Sequence, residues 1–140
     1  MENNTQLQTY YEHVQKTGNL ISADLARRWS TGVLKTLGFH LNGRTKKALA
    51  RVLPDNLADD LKDVFWLLHF RDPNLSSLEF QKQVARRSGN TNAEFARFPT
   101  LAVFSGIQRY TDSDLNKRVA ESLSPEVREL WEKAMKQGGN

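Results

Sequence analysis

The stretch Ala23-Asp24-Leu25-Ala26-Arg27 returns 70 residues later as Ala93-Glu94-Phe95-Ala96-Arg97. The same offset aligns residues 10–65 with residues 80–135 without a gap. Most aligned positions match one apolar residue with another, as expected if two copies of one small unit keep the same core-facing positions. The identical pairs are Val14/Val84, Ala23/Ala93, Ala26/Ala96, Arg27/Arg97, Val33/Val103, Lys47/Lys117, Ala50/Ala120 and Leu53/Leu123. The sequence therefore predicts an internal duplication.

Apolar residues follow a helical period in both copies. From Leu25 to Leu41 they recur at every fourth residue, which is the spacing of one helix face. Ser22 and Asn92 occupy the same position in the two copies, just before a helix, and both are good N-cap residues. A short third helix is predicted from Thr45.

The fourth helix of each copy is expected to start near a proline, at Pro54 and at Pro125. No useful length of sequence alternates apolar and polar residues as a strand would. We therefore predict an all-α fold with about eight helices, built as two pseudo-symmetric four-helix repeats packed as one compact domain. The predicted bounds are one domain over 1–140, with repeat one at 5–70, a linker at 71–76 and repeat two at 77–137.

Two places depart from the duplication. Pro99 takes the position of Trp29, so it is expected either to kink or break its helix, or to mark a delayed helix start near Phe98-Pro99. Residues 64–70 are apolar on nearly every side, whereas the matching end of the second copy is polar and glycine-rich. A helix that is apolar all round is buried all round. We expect this segment to join the two copies; a partner-docking surface or a homodimer interface is the alternative.

Composition narrows the class of protein. The 140 residues carry a net charge of +4 and no cysteine, which excludes disulfides and thiolate nucleophiles and suits a reducing compartment. Residues 1–6 lack the pattern of a signal peptide, and the apolar run at 64–68 is far shorter than the roughly 20 residues of a membrane span. We expect a soluble cytoplasmic protein.

The chain resembles a bacterial family of small helical proteins that are classed as a domain of unknown function and are usually tandem duplications. The resemblance rests on an aromatic-then-valine opening at 10–14 and 80–84, on the second-helix starts at 23–27 and 93–97, and on the closing helices at 53–57 and 123–131. It covers nearly the whole chain and implies the helical fold. It carries no catalytic residue across, and Pro99 departs from the family's usual pattern.

Few residues are candidates for catalysis or metal binding. His13, His40 and His69 have no second ligand at a convincing spacing for a metal. Three acids on the fourth helix, Asp59, Asp60 and Asp63, suggest a solvated face, since paired carboxylates serve acid–base work only when partly buried. No glycine-rich phosphate loop or serine nucleophile motif is present. We predict no catalytic residue, no metal, no cofactor and no enzyme activity.

One charged feature stands out. Arg44, Lys47 and Arg51 recur at i, i+3 and i+7 of the third helix, with Lys46 nearby, and form what we call the basic face. The second copy has Asp114 and Glu121 where the first has Arg44 and Arg51. The basic face could contact phosphates, or it could pair with the acidic fourth helices within or between chains.

These observations favour a cytoplasmic interaction module or adaptor that binds a protein partner, with an acidic protein as one candidate. The candidate partner-binding residues are Arg44, Lys46, Lys47, Arg51 and Trp66. The alternative is a nucleic-acid-associated protein whose basic face contacts phosphates, and homo-oligomers are also possible. A third hypothesis is an apolar-ligand pocket between the copies, lined by Trp29, Phe65 and Trp66.

Overall fold

Eight helices make up the part of the chain that the computed structural model describes, which is residues 2–63, 72–90 and 92–138. No strand occurs within those ranges, so the predicted all-α class is confirmed. In chain order the helices are α1 (Glu2–Thr17), α2 (Ala23–His40), α3 (Gly43–Val52), α4 (Asp55–Lys62), α5 (Ser77–Arg87), α6 (Ala93–Gln108), α7 (Ser113–Ser122) and α8 (Pro125–Gly138).

Side-chain caps set the helix starts. Ser22 accepts a hydrogen bond from the backbone N–H of Leu25, and Asn92 accepts one from Phe95, so both predicted caps are confirmed. The third helix begins earlier than the predicted Thr45, because the Asn42 side chain accepts from the Thr45 N–H at 2.8 Å. Asn42 therefore starts α3 as well as following α2.

The proline in α6 neither delays nor ends that helix. α6 runs unbroken from Ala93 to Gln108 with Pro99 inside it, so the alternative of a late start near Phe98 was wrong. Proline lacks the N–H that would bond to the Phe95 carbonyl. The Pro99 side chain is buried, and we attribute the survival of the helix to that packing.

Most helix boundaries of the two halves match at the offset of the sequence repeat. Helices end at Thr17 and Arg87, and later helices start at matched positions 23 and 93, 43 and 113, and 55 and 125. Matched apolar residues are buried in both halves, including Val14/Val84, Ala26/Ala96, Val33/Val103, Leu37/Ile107 and Leu49/Val119. Whether the halves superpose as pseudo-symmetric repeats stays a prediction.

The halves are interleaved in one core. α2 packs against α1 and α4 of its own half and also against α5 and α6 of the other half. α6 does the same in return, contacting α5, α8, α1 and α2, while α3 packs on α7. Every helix near the centre therefore buries surface supplied by both halves.

Residues 64–70, which the sequence suggested as the join between the halves, lie outside the described residues. The part of repeat one that the structure shows ends at α4 and Asp63. None of the described helices has both the length and the apolar character needed to cross a membrane.

Candidate protein-binding surfaces

The basic face lies on the outer side of α3. Thr45 and Leu49 are the buried residues of this helix and hold it against the core. Arg44, Lys47 and Arg51 project on the opposite side and are exposed. The three cations therefore share one exposed face of α3, as their spacing of three and four residues predicts. They face outward because burial of Thr45 and Leu49 fixes the rotation of the helix.

The cations of the basic face have no acidic partner among the described residues. Neither an ion pair nor a side-chain hydrogen bond involves Arg44, Lys47 or Arg51 there. The expected pairing with an acidic fourth helix occurs elsewhere, between Lys35 Nζ on α2 and Asp63 Oδ2 at 3.1 Å. The positive charge of α3 is therefore available to another molecule.

Two helices flank the basic face. α4 packs on α3 and carries exposed Asp55 and Asp59. α7 also packs on α3, and its exposed charges are balanced, since Asp114 and Glu121 share one face with Lys117 and Arg118. The acidic border of the basic face is therefore supplied by α4.

The remaining residues that the sequence suggested for binding lie in different environments. Lys46 is half-buried, and this burial lowers the pKa of its ammonium, so it is less available to a partner than its neighbours. Trp66 and Phe65 lie outside the described residues. Trp29 is 3% exposed and belongs to the core, where its ring lies 5.7 Å from that of Phe95.

A second candidate surface, which sequence reasoning missed, lies between α5 and α6. Leu78 is 46% exposed, Phe95 38% and Phe98 59%, and with Arg97 they line a groove of about 610 Å³. The rings of Phe95 and Phe98 are 6.2 Å apart. We call Leu78, Phe95, Arg97 and Phe98 the α5/α6 surface.

A smaller cavity adjoins the α5/α6 surface. It measures about 250 Å³ and lies between the two phenylalanines, Leu101 and the turn at Gly18 and Asn19. That turn leads to Ile21, which is 89% exposed. Large apolar side chains are thus left uncovered around the start of α6.

The first half has a groove at the equivalent place. It also measures about 610 Å³, and its lining includes Leu7, Gln8, Tyr11 and Arg27 of α1 and α2. At the 70-residue offset, Gln8 corresponds to Leu78 and Arg28 corresponds to Phe98. A comparison of the two copies at exposed positions would have revealed this difference, whereas the apolar matches alone conceal it.

The identical arginines of the two grooves have different surroundings. Arg27 lies 3.8 Å from Asp24 and its guanidinium stacks over the Tyr11 ring, 5.4 Å from the ring centre. Arg97 is half-buried and, among the described residues, has neither an ion pair nor a side-chain hydrogen bond. The second groove therefore presents, beside its phenylalanines, an arginine that forms no ion pair within the described residues, although Glu94 also lines the groove.

The titratable groups inside the fold pair with neutral neighbours. His13 Nε2 lies 3.0 Å from Ser105 Oγ, and burial with nearby Arg109 lowers the pKa of the imidazole. His40 Nε2 lies 2.8 Å from Gln83 Oε1. His69 is outside the described residues, and within those residues no three His, Asp or Glu side chains group as metal ligands would.

A cavity of about 450 Å³ is lined by residues of the segment 72–75 and by residues of α7 and α8, with His40 of α2 at one side. Its lining mixes apolar residues such as Leu75 and Val127 with charged Asp72, Glu121 and Arg128. Arg128 is held in place, because its Nε donates to the Ala120 carbonyl at 2.8 Å. This cavity differs from the apolar pocket expected around Trp29.

Comparison with known proteins identifies a family and leaves the activity open. No match was found among curated proteins. A family model described as "Uncharacterized conserved protein (DUF2267)" matches residues 7–130, a range that reaches from the first apolar residue of α1 into α8. The chain therefore belongs to the DUF2267 family of uncharacterized conserved proteins.

Proposed function

We propose that this protein is a non-enzymatic interaction module that binds an acidic segment of a partner protein through the basic face of α3. The observation that supports the proposal most directly is that Arg44, Lys47 and Arg51 are exposed together without an acidic partner in the described part of the chain. Arginine is enriched where proteins meet, because its planar guanidinium binds carboxylates in a bidentate manner.

The borders of the basic face favour a protein over a nucleic acid. A duplex presents phosphates over a wide surface, and the exposed Asp55 and Asp59 on the flanking helix α4 would repel them. A short acidic segment can lie along one helix and avoid those carboxylates. Nucleic-acid binding is accordingly the alternative function, and a cytoplasmic setting is part of the proposal.

The test measures the fluorescence anisotropy of a labelled glutamate-rich peptide and of a labelled mixed-sequence duplex, each at low and near-physiological salt. The key variant is Arg44→Glu with Lys47→Glu. The matched control is Lys133→Glu with Lys136→Glu on α8, which changes the net charge by the same amount at exposed positions. Circular dichroism checks that both variants keep their helices.

We expect the peptide to bind and the α3 variant to weaken this binding at least about tenfold, while the α8 control changes it much less. Equal losses in both variants would contradict a specific site and indicate attraction by net charge alone. Tighter binding of the duplex than of the peptide, lost in the α3 variant and steeply reduced by salt, would replace the proposal with the nucleic-acid alternative.

A further inference from the structure

The exposed apolar side chains of the α5/α6 surface are not required by the fold. The first half builds the same helix pair with Gln8 and Arg28 at the positions of Leu78 and Phe98. Polar residues are therefore compatible with this architecture at both positions. Exposed aromatic and aliphatic side chains clustered beside a groove are typical of binding surfaces.

The shape of the α5/α6 surface suits a helix. Two helices border the groove, and Phe95 and Phe98 project from neighbouring turns of α6 with Leu78 opposite on α5. Trp29 packs beneath Phe95 and gives that ring a rigid base. An amphipathic helix docks in such a groove by inserting apolar residues spaced at i, i+3 or i+4.

The charge around the groove selects acidic partners. Arg97 lines it without a partner in the described residues, and one carboxylate, Glu94, also contributes to the lining. Lys82 and Arg86 are exposed farther along α5 and do not line the groove, so the unpaired guanidinium of Arg97 is the group that favours a carboxylate on the partner.

Within the described residues, a second copy of this chain does not offer the required helix. Its acidic helices α4 and α8 already bury their apolar residues, which include Leu57, Leu61, Leu130 and Trp131. We therefore propose that the α5/α6 surface binds an amphipathic helix of a different protein, with apolar residues against Leu78, Phe95 and Phe98 and a carboxylate paired with Arg97. This proposal rests on the protein-binding function but places a second partner segment away from α3.

The test uses three labelled peptides of about 18 residues that share one leucine face and carry Glu, Gln or Lys at the flanking positions. Anisotropy gives the Kd of each peptide for the full chain. The main variant is Leu78→Gln with Phe98→Arg, which installs the residues of the first half. Arg97→Gln tests the ion pair, and Arg27→Gln is its matched control at the equivalent position.

We expect the Glu-flanked peptide to bind at least about tenfold more tightly than the Lys-flanked one, and the double variant to lose at least about tenfold in affinity. Arg97→Gln should reduce the preference for Glu, whereas Arg27→Gln should leave it unchanged. The α3 variant Arg44→Glu with Lys47→Glu should still bind the peptide, which separates this proposal from the first.

Equal binding of the Glu- and Lys-flanked peptides would overturn the proposal, and so would unchanged affinity in the double variant. Analytical ultracentrifugation tests whether a second copy of this chain occupies the groove instead. A dimer that forms at higher concentration and disappears in the double variant would show that a second copy covers the groove, which would also overturn the proposal.

Discussion

At the scale of single residues, Asp60 shows how the two halves differ inside a shared fold. Its carboxylate is half-buried and accepts a hydrogen bond from Thr31 Oγ1 at 3.2 Å. Burial raises the pKa of Asp60, although the Thr31 bond and Lys35 act in the opposite direction. The equivalent residues of the second half are Leu101 and Leu130, both buried. A polar pair thus replaces an apolar one.

Asp60 should make the protein less stable as the pH rises. Because its pKa is higher in the folded state, the folded state holds the proton after the unfolded state has lost it, from about pH 4 upward. Asp60→Asn removes this titration and can still accept from Thr31. We compare the two proteins by the difference in melting temperature, variant minus unmodified. We expect this difference to become more positive as the pH rises from 4 to 7.

The control for this prediction is Asp59→Asn, which removes the same charge from an exposed neighbour on α4. Thermal melts followed by circular dichroism at several pH values compare the two variants. A pH dependence that is identical in both variants would contradict the role assigned to burial and would indicate a general effect of net charge.

The sequence identified the N-caps of the helices but did not show that Asp60 is half-buried. Ser22 and Asn92 were recognisable as caps, since capping depends on local chemistry only. Asp59, Asp60 and Asp63 looked like one solvated face because they are close in sequence. Their separation depends on how α4 packs against α2, which places Asp60 beside Thr31, and that is a tertiary property.

At the scale of the helices, the packing of α2 on α4 depends on a glycine. A side chain at Gly38 would begin only 1.9 Å from the Leu61 carbonyl oxygen, which is backbone and cannot rotate away. We expect Gly38→Ala to lower the free energy of unfolding by about 1–3 kcal/mol, because the two helices must separate to make room. Urea unfolding measures the change.

Gly43→Ala is the matched control for that experiment. Gly43 is the first residue of α3, and no atom lies within 4 Å of the position that its added carbon would occupy. Alanine is more favourable than glycine in a helix by up to about 1 kcal/mol, so this variant should be as stable as the original or more stable. A similar loss of stability in both variants would contradict the account based on close packing.

Sequence patterns located the helices better than the surfaces between them. Apolar periodicity placed the helices, and the match between the copies placed the core, because buried positions are constrained alike in both halves. The α5/α6 surface escaped notice because Phe95 fits the helical pattern of core residues, and Phe98 was considered only as part of a possible helix start. Their exposure follows from where α5 and α1 lie relative to α6, which no single-helix pattern specifies.

At the scale of the whole molecule, the contacts between halves are reciprocal. α1 packs on α6 as α5 packs on α2, and the equivalent helices α2 and α6 also meet, as do α3 and α7. Each of these helix contacts between the halves therefore has an equivalent contact with the roles of the two halves reversed. Tyr10 of α1, whose ring contacts Gly106, and Gly32 of α2, which contacts Ser88, lie on these interfaces.

This interleaving predicts that neither half folds alone. Fragments 1–71 and 72–140 would each expose the faces of α2 or α6 that the other half covers, and chains of this length rarely form a sufficient core unaided. We expect each fragment to show little helical circular dichroism and no cooperative melt. An equimolar mixture should regain helical signal, since the missing faces are then supplied. A cooperative melt of either fragment by itself would contradict the shared core and would show that the repeats are independent units packed side by side.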